Sequence, residues 1–493
     1  MSTVAPEITV GDVPRASGKG SAVPGLVLLA WLAIALVAAT RALSFPSYWP
    51  IAIGSATCCL VTLPALRKDY SPYGPWTAVM AITYVAGGLR PLYVRFGEEG
   101  TRSFDVLFLL GRDWAFFAHN GAIYLLGFAL FVLGYMWARP ERRMENSPLR
   151  AFSKPVLGPS TPLVIILCAL IGTFGLVSYI QATGGLDLSD FSGKQASGGT
   201  EMSQDYESHG IQRSLTQFCV VAFWLHVAYV LRPGHKFPLL SFEVVGGVFL
   251  FLLSCIFPIV TSSRSDIVYT IFVTLAIAAM LRRPFRLWAL VLVGVVTIAS
   301  INFITLARGS SSSEVSVSSV LALDAVEESI IYNRNFADLY NASHIIGNTP
   351  EVLPAANGRT ITGWLAAPIP RAVWPTKPIV NPGPIVGEYI YGNGRSGVPP
   401  GVVAEMWWNW QWPGIVVGTV LAGILVGLIS RLKNIDYRNT AWVVLFCCGL
   451  LRFGAFTLTS GVGGAAFKSL EAFVCILFAV TLCSVWPDSA DES

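Results

Sequence analysis

Residues 24–43 read PGLVLLAWLAIALVAATRAL, twenty positions with one charge, Arg41. A helix of that length in water needs a polar face, and this one has none. About 20 apolar residues cross roughly 30 Å of hydrocarbon, so the stretch reads as a membrane span. No small-residue cleavage site follows it, which makes it a signal anchor that is kept rather than removed. The rest of the chain agrees. It is 54% hydrophobic and 13% charged, where a soluble domain carries about 25% charged residues.

Eleven further apolar runs follow, giving twelve candidate spans near 24–43, 49–66, 76–94, 114–138, 162–182, 214–231, 238–261, 267–281, 287–307, 413–430, 440–458 and 465–483. The expected fold class is therefore an all-α integral membrane protein of about 12 transmembrane helices. Residues 1–22 form a polar tail, 23–308 hold the first nine spans, 309–412 form one large loop, 413–484 hold the last three spans, and 485–493 form a second tail.

Lys and Arg in short loops mark the cytoplasmic side. With the N-terminus inside, the inner loops contain Arg67 and Lys68; Arg139, Arg142, Arg143, Arg150 and Lys154; Arg232 and Lys236; Arg282, Arg283 and Arg286; and Arg431, Lys433 and Arg438. The short outer loops 44–48 and 459–464 contain none. Both tails are then cytoplasmic and the 309–412 segment is external. All nine cysteines fall within the candidate spans, so no external disulfide framework is available and they read as small packing residues. The net charge of +4 singles out no partner; the lipid bilayer is expected as one and nucleic acid is not.

The external segment holds the densest polar chemistry. Ser311-Ser312-Ser313-Glu314 is a helix start, and Val315 to Ile346 has apolar residues at helical spacing, as in amphipathic helices lying on the membrane. Next comes Ile369-Pro370-Arg371-Ala372-Val373-Trp374-Pro375-Thr376-Lys377-Pro378. Its three prolines forbid a regular helix, so Arg371, Trp374 and Lys377 project from a stiff extended backbone. Arg and Lys suit phosphate oxygens, and an indole suits a sugar ring or a lipid interface. Glu405 lies just before a span among Trp407, Trp408, Trp410 and Trp412 and reads as a general base or as the partner of an interfacial Arg. The four tryptophans read as an interfacial belt. Asn341-Ala342-Ser343 has the form of a glycosylation sequon, and His344 is a single histidine, structural or an external base.

Charges at span ends and inside spans complete the set. Arg264 and Arg308 end two spans on the outer side, as substrate contacts or as snorkelling anchors. Lys468 and Glu471 are spaced for an ion pair along one helix face. Arg452 lies within a span, where a charge needs a carboxylate, a phosphate or a water-filled cavity. No Asp-x-Asp occurs on the outer side, so glycosyl chemistry there is expected to run without a metal, with arginines neutralising a leaving group.

Three of these elements resemble the bacterial oligosaccharide repeat-unit polymerases, the O-antigen polymerase (Wzy) family. Pro370-Arg371-Ala372-Val373-Trp374-Pro375-Thr376-Lys377-Pro378 is similar to that family's Pro-Arg-x-x-Trp-Pro-x-Lys-Pro. Val398-Pro399-Pro400-Gly401 to Glu405, then Asn409 and Gly414, is similar to its acid, Asn and Gly entering a span. The Ser-Arg-Ser ending at Ser265 is similar to its Ser-Arg-Gly. Trp412-Pro413-Gly414 departs from the family's usual Phe-Gly pattern there. The motif likeness covers about 265–430, and the first half of the chain is similar in architecture alone.

The resemblance implies a GT-C-like fold in the bacterial plasma membrane. It implies polymerisation of undecaprenyl-diphosphate-linked oligosaccharides, with no cofactor and with a chain-length regulator protein as a possible partner. Arg264, Arg308, Arg371 and Glu405 are then the expected catalytic residues. Arg334, Trp374, Lys377 and Arg452 are the expected substrate contacts. A ligase of the same chemistry and a flippase for the lipid-linked unit are the alternatives.

Overall fold

The computed structural model describes residues 22–67, 70, 74–96, 113–138, 157, 160–182, 210–232, 235, 241–261, 263–281, 294–295, 297–302, 337–366, 369, 373–374, 382–392, 397–432 and 440–485, with Ala22, Arg264, Ser484 and Val485 by backbone alone. Most of both tails, residues 183–209 and the 315–336 part of the amphipathic pattern expected over Val315 to Ile346 lie outside them.

Every described element is helical. We label α1 (Ala22–Ala42), α2 (Trp49–Thr62), α3 (Pro75–Thr83), α4 (Arg90–Phe96), α5 (Trp114–Trp137), α6 (Thr161–Ala182), α7 (Gly210–Val230), α8 (Phe242–Val260) and α9 (Arg264–Leu281). The later part has α10 (Leu339–Asn348), α11 (Arg359–Thr362), α12 (Pro382–Tyr391), α13 (Gly401–Pro413), α14 (Thr419–Arg431), α15 (Thr440–Leu445) and α16 (Arg452–Val485). Wide π-helical turns join α3 to α4, α13 to α14 and α15 to α16.

Seven helical stretches among the described residues are long and apolar enough to cross a membrane: Val23–Ala42, Pro46–Leu66, Trp114–Trp137, Thr161–Ala182, Phe242–Val260, Gly401–Arg431 and Thr440–Cys483. These seven stretches contain eight of the twelve expected runs, and the other four fall short for identifiable reasons. The runs at 76–94 and 214–231 are helical but interrupted by polar residues, with Arg90 in one and Gln217 and His226 in the other. Ser265–Leu281 is apolar but short. Only part of 287–307 is described. The last two expected runs form one 44-residue helical stretch.

That stretch doubles back. In a straight helix Gly449 and Phe473 would be about 36 Å apart at 1.5 Å per residue. Instead a Cβ on Gly449 would lie 2.6 Å from the Phe473 ring. The reversal is at Gly461, whose φ of 79° and ψ of 175° belong to a region that only glycine enters freely. The chain also reverses at Gln411 (φ 50°, ψ −125°). A Cβ on Gly418 would there fall 3.5 Å from the Met406 Cβ, although the two residues are 12 apart in sequence.

Burial follows these hairpins. One apolar core joins α6, α7, α8 and α9 to both arms of the Gly461 hairpin. A second joins α2, α3, α5, α13 and α14. A third lies outside the spans, where α10 and α12 pack on α13 through Ile345, Val386, Ile390, Ala404 and Trp408. Elsewhere the spans expose long aliphatic stripes, such as Leu26, Leu29 and Leu36 on α1 and Val245, Phe249 and Leu252 on α8, as helices facing lipid do.

Candidate functional site

The 401–410 arm of α13 holds the polar segment to the membrane bundle. Asn409 donates through Nδ2 to Thr360 Oγ1 at 2.6 Å and to the Glu405 carbonyl at 2.8 Å, and its Oδ1 accepts the Gly358 N–H at 2.7 Å. Trp408 donates to the Pro354 carbonyl at 2.8 Å, and the Ala356 N–H donates to the Trp408 carbonyl at 3.0 Å. A single helical turn of α13 thus fixes 354–360.

Glu405 is fully buried. Its carboxylate accepts the Val462 N–H, the Gly463 N–H at 3.4 Å and the Thr360 hydroxyl. Val462 and Gly463 begin the second arm of the Gly461 hairpin. The first N–H groups of a helix have no partner within it, and the helix dipole favours an anion there. Glu405 therefore caps a membrane helix from another part of the chain, where an interfacial Arg was expected as the alternative to a base role. A Cβ on Gly461 would meet this carboxylate, so the same glycine permits both the reversal and the cap.

The Trp quartet splits in burial between Trp408 and Trp410, the last tryptophan before the Gln411 reversal. Trp407 and Trp408 are buried in the core, while Trp410 and Trp412 are exposed. The belt expected from the sequence is confined to the latter two.

Arg452 is buried at the start of α16 with its partner, Asp266 of α9, at 3.5 Å. Lys468, on the opposite hairpin arm, approaches the same Asp266 oxygen at 3.4 Å, and the Ser263 hydroxyl donates to the other at 2.6 Å. Lys468 thus pairs across 202 residues, where a Glu471 partner one turn away was expected. Below them Phe456 offers its face to both cations at 5.3 and 5.0 Å and stacks on Tyr269 at 3.5 Å. A cavity of about 20 Å³, lined by Thr216, Gln217, Tyr269, Thr270, Asp266 and Arg452, adjoins the cluster. It has room for about one water molecule. The cluster contains two cations and one anion, and the carboxylate holds Arg452 and Lys468 against each other's repulsion.

Sequence reasoning did not single out Asp266. The signal was there: a buried Arg452 calls for a carboxylate, and Asp266 is the acid that opens an apolar run.

A second buried pair, Arg90 to Asp338 at 3.0 Å, joins α4 to the polar segment, and Asp338 also caps α10 through the Asn341 N–H at 3.0 Å. Burial pushes the Asp338 carboxyl above the ordinary carboxylate range, against the opposing pull of Arg90 and the backbone N–H groups. Asn341 is buried and accepts the Tyr391 hydroxyl at 2.5 Å, which removes it as a glycan acceptor in this fold. His344 is buried among the rings of Phe116, Phe117 and Tyr391, so its role is packing rather than external base.

Of the other expected site residues, Trp374 is partly exposed and lines a groove of about 290 Å³ with Arg359, Thr362, Gly363, Leu365, Ala366 and Ile369. Arg264 is the first residue of α9, two positions before Asp266. Arg308, Arg334, Arg371 and Lys377 lie outside the described residues. Among the described residues no three His, Cys, Asp or Glu side chains converge. Comparison with protein-family models, curated proteins and solved structures finds no match.

Proposed function

We propose that this chain is a metal-independent polymerase of undecaprenyl-diphosphate-linked oligosaccharide repeat units, acting at the outer face of a bacterial plasma membrane. In this reading the twelve-span topology and GT-C-like architecture hold, both termini are cytoplasmic and 309–412 is external. One observation carries it. Glu405 and Asn409, which belong to one stretch of the family resemblance, both bind Thr360, and Trp374 of the other stretch lines a groove with Arg359 and Thr362, on either side of Thr360 in the chain.

In the proposed reaction an acceptor hydroxyl oxygen bonds to the donor's anomeric carbon. The bond from that carbon to the diphosphate breaks, and the diphosphate leaves with the electron pair. Arg264, Arg308, Arg371 and Lys377 neutralise the leaving group, and Arg334 and Trp374 position sugars. Glu405 takes the acceptor proton only if it first gives up the Val462 and Gly463 N–H groups. In the described state it positions α11 and the hairpin arm. A phosphate at Arg452 competes with Asp266.

The test is release of free lipid diphosphate by purified protein given a lipid-diphosphate-linked repeat unit and a metal chelator. Arg371→Ala is expected to lower release about 100-fold, the weight of one charge-stabilising donor. Undiminished release would remove Arg371 from the mechanism. A second reading, a flippase, is favoured by the half-buried Asp266 and its partner, buried Arg452, which directly follows the π-helical turn Phe446–Leu451. It predicts lipid movement across vesicles with no diphosphate released.

A further inference from the structure

The groove beside Trp374 lies against the ends of apolar helices, as two contacts show. A Cβ on Gly463, in the first turn of the second hairpin arm, would collide with the Thr360 carbonyl and lie 3.2 Å from the Ile361 Cα. A Cβ on Gly358 would lie 3.4 Å from the Trp410 ring, just before the Gln411 reversal into the next apolar helix. The short helix α11 therefore rests on the ends of two apolar helices, where exposed Trp410 and Trp412 also sit.

Beyond α11 the chain turns apolar side chains outward. Leu365 is 61% exposed and Val373 75%, with Ile369 and Trp374 beside them. In water these residues would form an unfavourable contiguous apolar patch. Beside the ends of apolar helices they can instead face lipid, as exposed Val416, Val417 and Leu421 of the following apolar helix do. Arg359 lines the same groove, and no carboxylate pairs with it among the described residues.

One cation with an apolar trough matches an amphiphile carrying a negative headgroup. We propose that this groove binds an anionic phospholipid of the surrounding bilayer. The phosphate sits on Arg359, and an acyl chain runs along Leu365, Ala366, Ile369 and Trp374. The bound lipid seats Val373 and Trp374 on the membrane. This site shares Trp374 with the proposed sugar contacts but requires no sugar and no diphosphate.

The experiment places a nitroxide at Val373→Cys in the full chain, reconstituted in phosphatidylcholine vesicles with and without phosphatidylglycerol. The native cysteines are buried, apart from half-buried Cys59, and the unsubstituted protein gives the labelling background. Oxygen and a water-soluble nickel chelate report depth, with Glu351→Cys, an exposed site on the same segment, as the aqueous reference. The expected result is a Val373 probe shielded from nickel and open to oxygen, more so with phosphatidylglycerol. Arg359→Gln should cut that preference about fivefold, the weight of one basic residue near an anionic surface. A Val373 probe as wet as the reference overturns the site. Immersion indifferent to both phosphatidylglycerol and Arg359→Gln overturns the assignment of an anionic lipid. Both results leave lipid-diphosphate release as a separate question.

Discussion

Gly461 and Asp266 each resolve a conflict that a membrane helix hairpin creates. The hairpin must reverse in one residue, and its second arm begins with unpartnered N–H groups. Gly461 makes the reversal with a positive φ and leaves room for Glu405 to cap the arm. Gly461→Ala is expected to cost about 2–3 kcal/mol from backbone strain and displacement of the carboxylate. Thermal unfolding in detergent will measure it, and an unchanged midpoint would show that Glu405 is not held by this turn. Asp266 holds two cations that would otherwise repel. Removing one partner of a buried pair costs about 3–5 kcal/mol. Asp266 keeps 25% of its side chain exposed, so Asp266→Asn is expected near the lower end, about 3 kcal/mol by the same comparison. Asp266→Asn with Arg452→Met should recover part of that loss, because the stranded charge is gone. A double variant no more stable than the single one would rule out the pairing as the cause.

At the scale of elements, close approach between α5 and α14 depends on small residues. A Cβ on Gly423 would strike the Phe131 carbonyl, and one on Gly134 would strike the Val420 carbonyl, so each helix presents a glycine to the other's backbone. Lipid tails are as apolar as leucine, so association within the bilayer depends on such packing rather than on hydrophobic expulsion. Gly423→Val is expected to cost about 3 kcal/mol, at the upper end of overpacking. Size-exclusion chromatography should then show a loss of monodisperse protein, whereas Val417→Leu, on the lipid-facing surface, should not. The positions of the apolar helices were legible because hydropathy is a local property, and α1, α2, α5, α6, α8 and α14 begin and end close to where the apolar runs do. The partnerships were not. Asp266 meets Lys468 across 202 residues, and nothing local in either run points to the other. The four tryptophans looked equivalent because burial of Trp407 and Trp408 depends on distant partners, and the end of their arm at Gln411, a non-glycine residue with positive φ, leaves no mark in composition.

At the scale of the molecule, the described chain is a bundle of apolar helices with a polar segment fastened to one end. The fastening is Asn409 and Glu405 below Thr360, with Arg90 and Asp338 as a second clasp. A polar segment held at several points by buried bonds is suited to present a fixed surface, as substrate positioning requires. The resemblance motifs supplied the functional reading, and two of their residues, Glu405 and Asn409, form part of this fastening. The measurement that tests the account most directly is product length. Purified protein is given lipid-diphosphate-linked repeat units in detergent with a chelator, and the glycans are separated by size. The account predicts a ladder of lengths with free lipid diphosphate accumulating as it grows. Single transfer to an added acceptor, or intact substrate carried across vesicles without reaction, would contradict it.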